Sequence, residues 1–528
     1  MDNIENKVAE KQDAKRLGAV KKVFKWLFIT PLAFLLIVAI IFQAPWKVTA
    51  LLLILLLACT VMPGPARKWF WLSVGVVVIV LIIWVFLPDE GGDWRPYTFD
   101  KELAEIEAKR AVTPEQNAAT IYNQLLYNHD PYSFYPDFWD WKLDDLTLSE
   151  PWSSKDHPQP AKWLKGRRST IAILLEAARK KKCRFPIAVG PAGLGQVMYR
   201  LAPMRRWAVL LIRAANNDLG DGRLEQALEK NLAVLQMAKH GYQQPLMFEF
   251  LAAMAVEAIA LKNVNTFIVE GQPTSEHLGL IEDSFAGVER NWKSDLPKIL
   301  ACEKLRTKNM LCSLAYEINP KGKVRLRRNQ LAAMRAQFWK MTTPQTYWQR
   351  KLSKASTILA WFLMPSTPQK AAKIIDAAYE ELYAAPNPSF DRKRARRGLS
   401  IIPVTFNYRC LIEHMVAMSE QVIGTFHHVY LRTMADRKGS RLIIVLRRYK
   451  NKNGNWPASL DDIQSLAPPE VLVDPINKSD FVYKLTEENF TLYSKGRNNI
   501  DEDGRYGPQP GQTIIPDDWL IWPRPNRR

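Results

Sequence analysis

Three stretches near the N-terminus carry no charge: Trp26 to Trp46, Val48 to Ala66 and Trp69 to Leu87. No other feature restricts the fold as strongly, because a helix of about 20 mostly apolar residues is what crosses a hydrocarbon core roughly 30 Å thick. The first and third stretches meet that length. The second, Val48 to Met62, is short and needs a thinned bilayer or borrowed flanks. Trp26, Trp46, Trp69, Trp71 and Trp84 fall near the ends or interfaces, where an amphipathic indole is favoured. The expectation is three transmembrane helices over 26–87, the first two joined by a hairpin at Ala44-Pro45-Trp46; a two-span arrangement is the alternative.

Charge then sets an expected orientation. Residues 1–25 hold Lys7, Lys11, Lys15, Arg16, Lys21, Lys22 and Lys25, the loop before the third run holds Arg67 and Lys68, and the exit reads Pro88-Asp89-Glu90. Basic flanks stay in the cytoplasm. The expected location is therefore the inner (cytoplasmic) membrane, with a cytoplasmic N-terminus and residues 88–528 extracytoplasmic. A cleaved signal peptide competes, but the run exceeds an ordinary apolar core region and two more follow it.

The composition, 47% hydrophobic and 24% charged over 528 residues, excludes a disordered, collagen-like or disulfide-dense chain. Cys59, Cys183, Cys302, Cys312 and Cys410 form no CxxC pair, so the spacing points to buried free thiols rather than to zinc or a redox motif. Part of the net charge of +20 gathers in two runs, Lys321-Lys323-Arg325-Arg327-Arg328 and Arg392-Lys393-Arg394-Arg396-Arg397. No nucleic-acid motif accompanies them, so solvated faces are expected, with anionic lipid or an acidic polymer as the next reading.

After a linker over 88–112, residues 113–435 show helical periodicity and few strand-like alternations. Thr113-Pro114-Glu115-Gln116 reads as a helix start with Thr113 as N-cap. From Val197 to Gly241, apolar positions Trp207, Ala208, Leu211, Ala214 and Ala215, then Leu224, Ala227, Leu228, Leu232, Leu235 and Ala238, flank a Gly220-Asp221-Gly222 turn. This resembles a single tetratricopeptide-type hairpin whose period does not recur. Leu246 to Leu261 is apolar but contains Glu249 and Glu257, which predicts a buried core helix rather than a span.

Catalytic signatures are absent from the sequence: no HExxH, GxSxG or phosphate-binding loop occurs. His414 and His428 share a helix face about 21 Å apart and cannot ligate one metal. Asp137, Asp140, Asp144 and Asp145 lie among aromatics, as carboxylates in glycan-cleaving sites often do, but sequence assigns them no separation.

Residues 436–528 are the most legible. A helix ends in Tyr449-Lys450 and Gly454; Ser459 with Asp462 fits a capped short helix. Asp474-Pro475 marks a turn, and Phe481, Tyr483 and Leu485, then Phe490 and Leu492, alternate along two strands. Asn499-Ile500-Asp501-Glu502-Asp503-Gly504 fits the start of a calcium loop, with alternating oxygen side chains before a permissive glycine. Pro510 stands where an EF-hand needs its bidentate glutamate, so an EF-hand is excluded. A calcium loop and a plain acidic surface loop both remain open.

In order and spacing, Tyr449, Lys450, Gly454, Trp456, Pro457, Leu460, Asp474-Pro475 and Tyr493-Ser494-Lys495-Gly496 resemble the globular domain of the type II secretion major pseudopilin family, protein G. The resemblance covers residues 440–522. It implies an α+β module with a structural calcium ion held by the acidic loop and a late aspartate, here Asn499, Asp501, Asp503, Asp517 and Asp518. The family's prepilin leader and methylated N-terminal helix are missing, so pilus polymerisation is not implied.

The expected architecture is thus membrane-anchored and multidomain: N-terminal transmembrane helices, a mainly α-helical extracytoplasmic domain with one tetratricopeptide-like hairpin, and a small pseudopilin-like α+β module. The expected function is a non-enzymatic inner-membrane scaffold, with the lipid bilayer and envelope or secretion proteins as partners and nucleic acid not expected among them. An envelope hydrolase acting on polysaccharide or peptide through the helical domain is the alternative.

Overall fold

The structure is a computed structural model and describes residues 92–128, 140–187, 193–286, 290–326, 367–384, 408–487, 489–507 and 515–523, with isolated positions before residue 77. In chain order its elements begin with β1 (Arg95–Pro96), α1 (Asp100–Lys109), α2 (Ala118–Tyr127), α3 (Trp141–Ser149), α4 (Pro158–Lys165) and α5 (Arg168–Arg179). The long helices follow: α6 (Gly193–Gly220), α7 (Leu224–Tyr242), α8 (Met247–Glu270), α9 (Ser275–Ala286) and α10 (Trp292–Ala315). Then come β2 (Tyr316–Ile318), β3 (Val324–Leu326), α11 (Pro368–Ala384), α12 (Tyr408–Asn453), α13 (Pro469–Leu472), β4 (Val482–Leu485), β5 (Phe490–Ser494) and β6 (Trp519–Trp522).

The membrane-anchored architecture is corrected. Among the described residues no helix is long and apolar enough to cross a membrane. The longest candidates fail on charge: α8 carries Glu249, Glu257 and Lys262 within its apolar sequence, and α12 is rich in Arg and Lys. The expected inner-membrane location, the cytoplasmic N-terminus and the bilayer as partner lose their support with it. The three runs of 26–87 lie outside the described residues, save single positions such as Trp69 and Leu72.

Two compact units make up the chain. One takes in Phe99–Met310 and Val422–Arg528; the other takes in residues up to Thr98, Leu311–Pro386 and Phe390–Gln421. In the second unit, β1, β2 and β3 form an antiparallel sheet with Arg95 opposite Ile318 and Tyr316 opposite Leu326. Strands of two or three residues leave no period-2 signature in a sequence. Arg325, from the first basic run, stacks 3.9 Å over Trp94 and pairs with Glu317. Arg327, Arg328 and the second basic run lie outside the described residues.

The first unit is built around the α6–α7 hairpin. Trp207, Ala208, Leu211, Ala214 and Ala215 on α6, and Ala227, Leu228, Leu235 and Ala238 on α7, are buried as their spacing predicts; Leu224 and Leu232 are half-buried. Gly222, at φ 77°, turns the chain between them. Gly220 answers a different demand, because a Cβ there would lie 2.3 Å from the Trp152 carbonyl. Helix α8 packs across both and is a core helix, with Phe250, Met254, Leu261, Val264, Phe267 and Ile268 buried. Gly241 lets α7 meet it closely, since an added Cβ would fall 2.7 Å from the Ala253 methyl.

One helix start differs from expectation. Pro114–Gln116 is a 3-10 turn, and α2 begins only at Ala118 with Asn117 as its cap. Asn117 wins because Oδ1 accepts from both Ala119 N and Arg184 N while Nδ2 donates to Arg184 O. Thr113 makes no such bond.

Candidate functional site

The C-terminal module begins where α12 stops. Gly454, at φ 85°, breaks the helix, and Trp456 turns into the module core against Phe490, ring centroids 4.8 Å apart. Lys450 lies 4.5 Å over the Trp456 ring. Ser459 and Asp462 form the expected reciprocal cap: Asp462 Oδ2 accepts from Ser459 N at 3.0 Å. Asp474 closes the next turn by accepting from Ile476 N at 2.8 Å. Strands β4, β5 and β6 form an antiparallel sheet in that order, with Tyr483 opposite Leu492 and Leu492 opposite Trp522. Phe481, Phe490, Leu492, Tyr493, Ile521 and Trp522 fill its buried face.

The acidic loop leaves β5 and returns into β6. Asn499, Asp503 and Gly504 adopt left-handed backbone, with φ of 55°, 58° and 74°, so the chain coils tightly there. Asp501 Oδ1 accepts from Tyr493 Oη at 2.6 Å and from Asp503 N at 3.0 Å. That hydroxyl donation, first among the causes, holds the Asp501 carboxyl below its usual range. Lys484, from β4, lies 2.7 Å from Asp503 Oδ1 and 3.4 Å from Asp501 Oδ2.

The two late aspartates also reach the loop, and they meet backbone amides. Asp518 Oδ2 accepts from Glu502 N and Gly504 N, both at 2.8 Å. Asp517 Oδ2 accepts from Arg497 N at 2.8 Å, and its Oδ1 lies 3.5 Å from Arg432. Asn499 Oδ1 accepts from Ser479 Oγ at 3.2 Å. The structure therefore brings together the loop and the late aspartates that the sequence singled out. Their oxygens are divided among an ammonium, a hydroxyl and amides, and among the described residues no group of three or more His, Cys, Asp or Glu is arranged to hold a metal. One oxygen, Asp518 Oδ1, is buried without a hydrogen-bond partner. Burial raises that carboxyl above its usual range.

The end of α12 and the strands that follow it are fastened to the other helices by contacts that no short motif reveals. Arg437, on α12, makes a two-pronged bond to Glu257 on α8, 2.7 Å from Nε to Oε1 and 2.9 Å from Nη2 to Oε2. Tyr242 Oη donates to the same carboxylate. Burial works against the Arg437 charge, but Glu257 more than offsets it, so the guanidinium holds its proton more tightly than usual. One residue earlier, Asp436 Oδ1 accepts from the Trp519 indole of β6 at 2.8 Å. Arg432 sits 4.5 Å over Tyr506 and 4.6 Å over Trp519, and Lys262 of α8 lies 5.8 Å over Trp519. Burial drives the Asp436 carboxyl up to about 7. Gly439 completes the seam, because a Cβ there would meet Ile521 at 2.6 Å. Arg448 reaches Glu282 on α9 at 2.7 Å, and Asn451 donates to Pro273 O at 3.0 Å.

A second ionic cluster, buried or half-buried, lies elsewhere among the helices. Arg200 pairs with Glu249, while Glu107 accepts from Arg184, Arg110 and Ile187 N. Beside it is a cavity of about 30 Å³ lined by Arg200, Met204, Met237, His240, Gln244 and Glu249. That volume suits a few waters rather than an organic ligand. His240 is a packing residue: Nδ1 faces Tyr122 Oη at 3.0 Å, Nε2 faces Lys180 O at 2.7 Å, and burial lowers it to about 4. Cys183 and Cys302 are buried free thiols raised by burial to about 12 and about 11, which disfavours the reactive thiolate. Cys312 is also buried, its thiol directed at Pro368 O.

Of the carboxylates expected for a hydrolase, Asp137 lies outside the described residues. Asp140 caps α3 by accepting from Lys142 N, and Asp144 pairs with Arg213. Asp145 is half-buried on the same helix. Compared with known proteins, the chain matches no family model, no curated protein and no solved structure.

Proposed function

We propose that this chain is a non-enzymatic interaction protein in which a stack of helices holds a pseudopilin-like module against a protein partner, of the secretion type that the resemblance implies. The observation that carries this reading is the seam between α12, α8 and β6. Arg437, Asp436 and Gly439 occupy one turn of α12 and engage Glu257, Trp519 and Ile521 respectively. A strand module fixed in this way presents its outer surface in one orientation, which lowers the ordering cost of binding. Outward residues include Leu485 on β4, 48% exposed, and Ile500 and Tyr506 around the loop.

The test is site-specific photo-crosslinking in cells, with the reactive residue placed at Leu485, at Ile500, or, as a control on the helices, at Glu229. The expected result is one shared protein adduct from the two module positions and none from the control. Adducts from Glu229 alone, or none from the module, would overturn the reading.

A further inference from the structure

The pseudopilin resemblance implies a calcium ion in the acidic loop, and the residues present do not fit one. Calcium requires six to eight oxygens converging at about 2.3–2.6 Å. Here the oxygens of Asp501 and Asp503 turn to a side chain of the protein itself. We infer that the ammonium of Lys484 stands in for the divalent cation and makes the loop's fold independent of metal.

The geometry behind this is specific. Lys484 is the third residue of β4, opposite Thr491 in β5, so its backbone is fixed by the sheet. From there Nζ reaches Asp503 at 2.7 Å and Asp501 at 3.4 Å, and lies 5.3 Å from the centre of the Tyr493 ring. The Tyr493 hydroxyl donates to Asp501, which turns the other oxygen of that carboxylate to Lys484 and leaves two carboxylates around one positive charge. Meanwhile Asp517 and Asp518 are held by the amides of Arg497, Glu502 and Gly504. These bonds fold the return arm of the loop back on its start without an ion. A lysine supplies one charge and three donors on a flexible stem, so it satisfies two carboxylates where calcium would need further ligands.

The experiment uses the full chain, melted in excess EDTA and in 5 mM calcium chloride, as wild type, Lys484→Met and Lys484→Arg. The wild type is expected to melt at the same temperature in both buffers. Lys484→Met is expected to melt a few degrees lower in EDTA and to regain most of that difference in calcium, because removing the ammonium leaves two carboxylates facing each other. Lys484→Arg, which keeps a cation on the strand, is expected to behave as wild type. A calcium-dependent rise or an EDTA-dependent fall in the wild type would overturn the inference. So would a Lys484→Met protein that calcium does not restore.

Discussion

Replacing Arg437 by methionine removes the cation from a seam that is almost dry. The Glu257 side chain is 1% exposed and that of Arg437 8% exposed, so the carboxylate cannot turn to water when its partner goes. Tyr242 still donates one hydrogen bond to it, but one neutral donor does not replace a two-pronged guanidinium. Breaking a buried pair from one side costs about 3–5 kcal/mol, most of it from the stranded charge. For a folded body of this size each kcal/mol lowers the melting temperature by about 2–4 °C, so Arg437→Met is expected to melt on the order of 10 °C lower at pH 7.5. One control separates charge from packing. Arg437→Met combined with Glu257→Gln should recover most of the loss, because no charge is left behind. Differential scanning calorimetry at pH 7.5 measures both. A loss below about 1 kcal/mol at pH 7.5, or a double variant no better than the single, would refute the claim that this pair locks the module down.

Asp436 and Gly439 give further expectations at the same seam. Burial raises Asp436 to about 7, above its unfolded value of about 3.9. The stability it contributes is therefore present below about pH 4 and is lost as pH rises through about 7. Asp436→Asn keeps an acceptor for the Trp519 indole, so it should match wild type at pH 4 and exceed it at pH 8 by on the order of 4 kcal/mol in urea titrations; an equal difference at both pH values would show that Asp436 is not the titrating group. Gly439→Ala pushes a methyl into Ile521 and should cost about 1–3 kcal/mol, of which alanine's helix preference returns at most about 1. The same denaturation experiment checks it, and a stabilised variant would mean that β6 does not sit on α12. Asn117→Ala removes one acceptor serving two backbone amides, and a loss of about 1–2 kcal/mol in the same assay is expected.

What the sequence made legible was local. Ser459 and Asp462 sit three residues apart and cap each other, and the apolar positions on either side of Gly220-Asp221-Gly222 are the buried ones. Phe490 and Leu492 are buried with half-buried Thr491 between them, as their alternation predicts, while Tyr493 and Ser494 are buried as well. The unread features are those whose partners are far away in the chain. Arg437 and Glu257 are 180 residues apart, and Asp436 and Trp519 are 83 apart. The only hint was the presence of two glutamates inside an otherwise apolar helix, since buried carboxylates demand cations from somewhere. The Asn117 cap escaped for a related reason: its second bond, to Arg184, belongs to the tertiary structure. Spacing within the acidic loop singled out Asn499, Asp501 and Asp503, but it could not show that Lys484 arrives from the neighbouring strand to meet the two aspartates. The membrane expectation rested on three uncharged runs within 26–87 and their charged flanks, and no described helix is long and apolar enough to cross a membrane.

The claim on which the account rests is that the strand module and the helices form one folded body. Native-state hydrogen exchange on the full chain tests it most directly, by comparing the amides of Leu492 and Tyr493 in β5 with those of Ala260 and Val264 in α8. The account predicts that both sets open with the same free energy, and that Arg437→Met lowers the two by the same amount. Strand amides that open at a much lower free energy than α8, and that do not respond to Arg437→Met, would contradict it.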